Sequence, residues 1–292
     1  MIEWLAVLIR ALSFIALFHA AGAALFLTLF GAGVPSAGPR IARQARFAAL
    51  MAAALVLGHF SLEAGRLSGD LAGILDGRMQ QLAWRSAAGT ALCLHLAGLL
   101  LLMLGLSRVP RSGGARGRLL ADSCCGLGVL VLVGAFLSLG HTVDHPHRPA
   151  LAALLALHLC SVTFWFGAIW PLRQAVTLEP PASAAAVLER FSRMALWMVP
   201  ALLLAGGALA VLLLPGFSAF AQPYGQLLLA KILGFGVLLG FGALNKLRLT
   251  PALRRDPAWA VPRLRRSLAF EYGVLCTVLG VTAVMTGLYS PD

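Results

Sequence analysis

All seven histidines of this 292-residue chain lie in or beside long apolar runs. Imidazole changes charge near neutral pH and is the commonest side-chain ligand of transition metals. A polar group held at depth in hydrocarbon is costly, so it marks a pathway, a cofactor or a partner on the next helix. The densest grouping is Gly140-His141-Thr142-Val143-Asp144-His145-Pro146-His147, which places three imidazoles and one carboxylate within seven residues. Nitrogen and carboxylate donors together suit a divalent transition metal such as copper. His59 and Glu63, spaced i and i+4, share one face of a helix end on the same side and are candidate helpers of that site.

A second grouping is His19, His95 and His158, one in each of three apolar runs. At a rise of about 1.5 Å per residue, they fall at successive depths. Each must find a hydrogen bond, a metal or a haem iron. Two that face one another would ligate a b-type haem; the imidazoles could equally serve a metal ion; a hydroxyl or carbonyl on a neighbouring helix would satisfy each one separately. Sequence gives the depth of these groups and not their facing. Softer donors for copper(I), Met194, Met198, Met285 and the Cys124-Cys125 pair, are also ordinary packing residues. Arg10, Lys231 and Glu271 are charges inside apolar runs. Arg10 and Lys231 are long enough to snorkel, and Glu271 is expected to meet an arginine of an inner loop. No GxSxG, Walker A or HExxH motif is present, so hydrolysis has no support and an enzyme is the less favoured reading.

The elements that position these residues are membrane spans. The composition is 60% hydrophobic and 12% charged, half the charge of an ordinary soluble domain. A span needs about 20 mostly apolar residues, and eight runs qualify, at roughly 4–30, 44–62, 84–106, 119–140, 150–171, 192–214, 225–246 and 266–288. The expectation is an all-α integral membrane protein, residues 1–292 forming a single eight-helix bundle. The first run lacks a basic flank and is read as a retained span. The net charge of +12 would suggest nucleic acid in a soluble protein, but the cations gather in alternate short connections. Arg40, Arg43 and Arg46 fill the first, Arg108 to Arg118 the third, Arg173 to Arg193 the fifth and Lys246 to Arg266 the seventh. That pattern faces anionic lipid from the cytoplasm, which argues against nucleic acid as partner and puts both termini on the outer side of the membrane. Five cysteines, none in a CxxC pair, give no disulfide framework. Glycines such as Gly22 are read as helix-packing positions.

Several stretches together resemble the copper resistance protein D (CopD) family, over nearly the whole chain. Gly140-His141, Leu157-His158-Leu159 and Phe164-Trp165-Phe166-Gly167 are similar to the family's GH, LHLLAA and WLGG run. Arg190-Phe191-Ser192 is similar to its RFS. Pro223-Tyr224-Gly225 through Lys231 to Asn245-Lys246-Leu247-Arg248-Leu249-Thr250-Pro251 resembles its YG, LLLK and NRLRLTP pattern. Leu264-Arg265-Arg266-Ser267 with Glu271 resembles its LRRS and E. The resemblance implies a role in copper homeostasis in the bacterial inner membrane, where the outer side that holds both termini is the periplasm, with copper received there from a small CopC-like carrier. It also implies that His19, His141, His158, Lys231, Asn245 and Glu271 stand at family positions. His95 departs from it, standing where many members carry arginine, and Asp144-His145-Pro146-His147 replaces a loop of small residues. The family is also distantly similar to di-haem cytochrome b proteins.

The expected function follows. Copper binds first at His141, Asp144, His145 and His147 with His59 and Glu63, then passes His158 and His95 toward His19. The alternative is a b-haem redox protein resembling cytochrome b561, in which two of His19, His95 and His158 hold haem and electrons reach copper or quinone.

Overall fold

The computed structural model describes residues 2–108, 114–139, 146–214 and 216–289. Among these there is no strand, and the helices are α1 (Ile2–Phe30), α2 (Gly38–Ser68), α3 (Gly77–Arg85), α4 (Ala87–Arg108), α5 (Ala115–Leu137), α6 (Arg148–Leu178), α7 (Pro181–Leu213), α8 (Pro223–Leu244), α9 (Thr250–Arg255) and α10 (Pro257–Leu288). Eight helical segments are long and apolar enough to cross a membrane. The protein is therefore an all-α, multi-pass membrane protein. Only helices satisfy every backbone group in hydrocarbon without a closed barrel, and this composition leaves no other solution.

The helix starts are written locally. Proline stands at the first turn of α2, α6, α7, α8, α9 and α10, where its missing N–H costs nothing. Asp76 caps α3 by accepting from Arg78 N–H, and Asp256 caps α10 by accepting from Trp259 N–H. Gly69 ends α2 at φ 77°, a left-handed conformation that glycine adopts without penalty. The third span begins only at Ala87, because α3, a short polar helix with Gln80, Gln81 and Arg85, takes the stretch before it.

α1 is the axis of the bundle, packed against α2, α4, α5, α6 and α10. Its buried face runs from Ala16 to Phe30 and is rich in alanine. It meets α6 at Gly22 and Gly167, whose backbones touch with no side chain between them. Hydrocarbon supplies no hydrophobic drive between helices, so close packing of small residues carries such contacts. Where α1 ends, the Ala37 N–H donates to Glu179 Oε1 at 2.7 Å and ties the turn before α2 to the end of α6. In contrast α8 buries only Gly225 and Leu238, and Leu233, 71% exposed, faces outward. The π-turn Asn245–Leu249 joins α8 to α9. Leu204, Trp197 and Phe47 are likewise exposed, as lipid-facing residues are.

Candidate functional site

His141, Asp144 and His145 lie outside the described residues. His147 is described, exposed at the N-cap of α6. Beyond that loop, the structure gathers chemistry in three places.

The first is the end of the bundle where α1 begins and α2 and α10 finish. Arg10 of α1 donates from Nε to His59 Nε2 at 3.3 Å and from Nη1 to the Thr286 carbonyl at 2.8 Å. Arg66 donates to Glu3 Oε1 at 3.2 Å and to Glu63 Oε2 at 3.1 Å. Two cations and two carboxylates thus share this half-buried corner. Arg10 does not snorkel to the surface: it is taken up by a histidine and a carbonyl. His59 and Glu63 do share a helix face, but each already holds an arginine. His95 of α4 lies within electrostatic reach of His59. It is 8% exposed, stands edge-on to Phe136 at 5.1 Å, and its Nε2 has no partner. Phe136 in turn stacks on Phe18 at 5.6 Å and meets Phe14 at 5.5 Å. Beneath these rings a cavity of about 10 Å³ is lined by Leu17, Ala21, Val133 and Thr163 among others.

The second place lies deeper, between α1 and α10. The Tyr272 hydroxyl and His19 Nδ1 share a hydrogen bond of 3.0 Å. The Tyr272 ring stacks on Phe166 at 5.0 Å and tilts against Trp170 at 5.4 Å, so it is fixed from the α6 side. The neighbouring Glu271, 2% exposed, accepts from Asn245 Nδ2 of the π-turn. The sequence expectation of an arginine partner for Glu271 is thereby corrected. The π-turn brings Asn245 over it, and a neutral amide satisfies a buried carboxyl group at lower desolvation cost than a guanidinium. The Asn245 Oδ1 has no partner.

The third place is His158 on α6. Its ring packs on α7, where a Cβ added at Gly206 would lie 3.1 Å from Nδ1 and Cε1. That Nδ1 has no hydrogen-bond partner, and Lys231 of α8 is within electrostatic reach.

Of the candidate residues, then, His59 and Glu63 share one end, with His95 in electrostatic reach of His59, and Asn245 meets Glu271. His19, His95 and His158 do not converge: each is turned to a different helix, His19 to α10, His95 to α5 and His158 to α7. A b-type haem needs two imidazoles facing across a macrocycle. The small void beside Phe136 and the contact of His158 with Gly206 offer no such slot, so the residues do not fit that group. Among the described residues no cluster of three or more His, Cys, Asp and Glu is placed to hold a metal. The five cysteines are free. Tyr272 was not singled out in the sequence, because a tyrosine beside an in-span glutamate carries no spacing signal; its role depends on the rotation of α10 relative to α1.

The N-terminal domain model described as copper resistance protein D-like matches residues 1–146, and the model described as copper resistance protein D matches residues 185–285. The chain belongs to the copper resistance protein D family. A copper resistance protein D of Pseudomonas syringae pv. tomato is 31% identical over 149 residues, which are 47% of this chain and 48% of that protein. The chain thus spans about half the length of that relative in the match. No solved structure matches the chain. Arg10, His19, His59, Glu63 and His95 fall in the first matched stretch, and Lys231, Asn245, Glu271 and Tyr272 in the second. His158 lies between the two.

Proposed function

We propose that the protein serves copper homeostasis in the bacterial inner membrane, binding copper on the periplasmic side and handing it inward. The family supports the copper role. The observation that carries the mechanism is the buried, unpartnered Nε2 of His95, which lies within electrostatic reach of His59. An imidazole that is 8% exposed with a free ring nitrogen is a cost to the fold unless that nitrogen serves a ligand.

In this reading copper is cargo. His141, Asp144, His145 and His147 receive it, from a CopC-like carrier, and His59 with Glu63 stand below them. Copper(II) and copper(I) both accept imidazole, so His59 Nε2 becomes a ligand once Arg10 releases it, and His95 Nε2 is the next donor inward. His158 and His19 are the further stations, the latter held in one orientation by Tyr272. Arg10 and Arg66 together balance Glu3 and Glu63, which keeps this corner near neutral and spares an incoming cation a net repulsion.

Detergent-purified protein is to be analysed for copper by mass spectrometry together with its optical spectrum. Stoichiometric copper that is lost in the His141→Ala/His145→Ala/His147→Ala variant and weakened by His95→Ala is the expected result. Copper retention unchanged in both variants would overturn the assignment. A Soret band that shifts on dithionite reduction would replace it with the haem reading.

A further inference from the structure

A cleft of about 550 Å³ opens on the side of the bundle at its most cationic end, between the close of α8 and the first third of α10. One wall is aromatic: Phe241 and Phe270 tilt against each other at 4.7 Å, and Trp259 continues the surface. The lining is also cationic, with Arg248, Arg263 and Arg266. Arg263 is held in place, its guanidinium 4.4 Å over the Trp259 ring and its Nη1 donating to the Trp259 carbonyl at 3.1 Å. Among the described residues none of the three arginines pairs with a carboxylate; the ion pairs present involve Arg66 and Arg254. Ser267, 7% exposed and also lining the cleft, has a hydroxyl with no hydrogen-bond partner.

We propose that this cleft is a binding site for one anionic phospholipid, its phosphodiester held by Arg248, Arg263, Arg266 and Ser267 and its acyl chains laid on Phe241 and Phe270. Basic pockets between membrane helices recognise anionic headgroups by this combination of guanidinium donors and apolar wall. A free phosphate would leave the aromatic surface unused, and that surface lies on two helices long and apolar enough to span the membrane, with Phe270 53% exposed. The π-turn matters here: its wider winding interrupts the α8 register just where Arg248 joins the cleft, and such turns recur at binding sites. The lipid would also cover part of a helix that packs little, since α8 buries only Gly225 and Leu238.

The test is native mass spectrometry of purified protein after delipidation in detergent and re-addition of either phosphatidylglycerol or phosphatidylcholine. One phosphatidylglycerol per chain is expected to persist, with phosphatidylcholine failing to replace it. The Arg248→Gln/Arg263→Gln/Arg266→Gln variant is expected to lose it, each arginine contributing about fivefold, while Arg40→Gln/Arg43→Gln/Arg116→Gln, which removes equal charge elsewhere, retains it. If the triple variant fails to fold by circular dichroism, Arg248→Gln alone should still show its fivefold loss. Equal retention of phosphatidylcholine, or undiminished phosphatidylglycerol in the cleft variants, would overturn the proposal. So would displacement of the lipid by millimolar inorganic phosphate, which would mark a site for the free anion.

Discussion

The contact between Gly22 and Gly167 makes the strongest quantitative demand on this fold. A Cβ added at Gly22 would overlap Gly167 Cα and the Thr163 carbonyl oxygen, with Gly167 N at 3.0 Å, and a Cβ at Gly167 would overlap Gly22 in return. Carbon atoms rest at roughly 3.5–4.0 Å from one another, so Gly22→Ala must drive α1 and α6 apart by about 1 Å. Overpacking costs about 1–3 kcal/mol when side chains can rotate away. Here the obstacle is backbone on both sides and nothing can rotate. The upper end, about 3 kcal/mol, is therefore expected, roughly two orders of magnitude in the folded-to-unfolded ratio.

The assay is unfolding in mixed micelles with increasing dodecyl sulfate, followed by far-ultraviolet circular dichroism. Gly126→Ala is the matched control: it lies inside α5 with open space around its Cβ, so helix propensity alone acts and the substitution should cost nothing. The double variant Gly22→Ala/Gly167→Ala should cost less than the sum of its parts, since one methyl already opens the crossing. The same displacement should break the bond of 3.0 Å between His19 and Tyr272, because α10 packs on both α1 and α6 and a hydrogen bond does not survive stretching by about 1 Å. A Gly22→Ala protein within about 0.5 kcal/mol of the parent would refute the backbone contact and with it the central place given to α1.

Arg10→Met removes the donor that occupies His59 Nε2, and copper affinity of the purified protein should rise about tenfold by isothermal titration; an unchanged or lower affinity would show that His59 is not a ligand. Asn245→Leu strips the buried Glu271 of its donor and should cost about 1–3 kcal/mol in dodecyl sulfate unfolding, most of it recovered in Asn245→Leu/Glu271→Leu. Tyr272→Phe frees His19 Nδ1 at about 1 kcal/mol, measured by the same unfolding, with a larger fall in cellular copper transfer if His19 must point one way. Phe136→Ala removes the ring that lies against His95 and over the void of about 10 Å³; stability should fall while copper passage rises, whereas a fall in both would make Phe136 packing only.

The spans were legible because length and hydropathy decide them, and eight were found where eight were expected. The short α3 was not, since its nine residues carry no span-length signal and interrupt what reads as the approach to an apolar run. Depth was legible too: Arg10, His59 and Glu63 come to one end, as counting residues along each helix requires. Facing was not. Whether His19 looks at Tyr272 or at another imidazole depends on how α1 and α10 are rotated, and that rotation is fixed by backbone contacts such as Gly22 on Gly167 that leave only a glycine in the sequence. Asn245 and Glu271 are 26 residues apart and meet because a π-turn intervenes, which no periodicity announces. Arg10 read as a snorkelling cation because its partners come from α2 and α10, distant in sequence.

On the proposed route, the facing of the side chains along α1 constrains how copper would move. One helix carries Arg10 against His59, Phe14 and Phe18 against Phe136, His19 against Tyr272 and Gly22 against Gly167. From Arg10 to His19 is nine residues, about 13 Å along α1. Between them lie the rings of Phe14, Phe18 and Phe136 and a void of about 10 Å³, which holds a single water-sized group and no continuous channel. A cation passing from His95 to His19 must therefore displace α5 from α1 or turn the Phe136 ring, and two packed aromatic contacts oppose that motion. The Gly22 crossing packs the other side of α1 backbone to backbone, so on the proposed route α5 is the wall that would move, with Phe136 as the gate and α6 as the fixed reference.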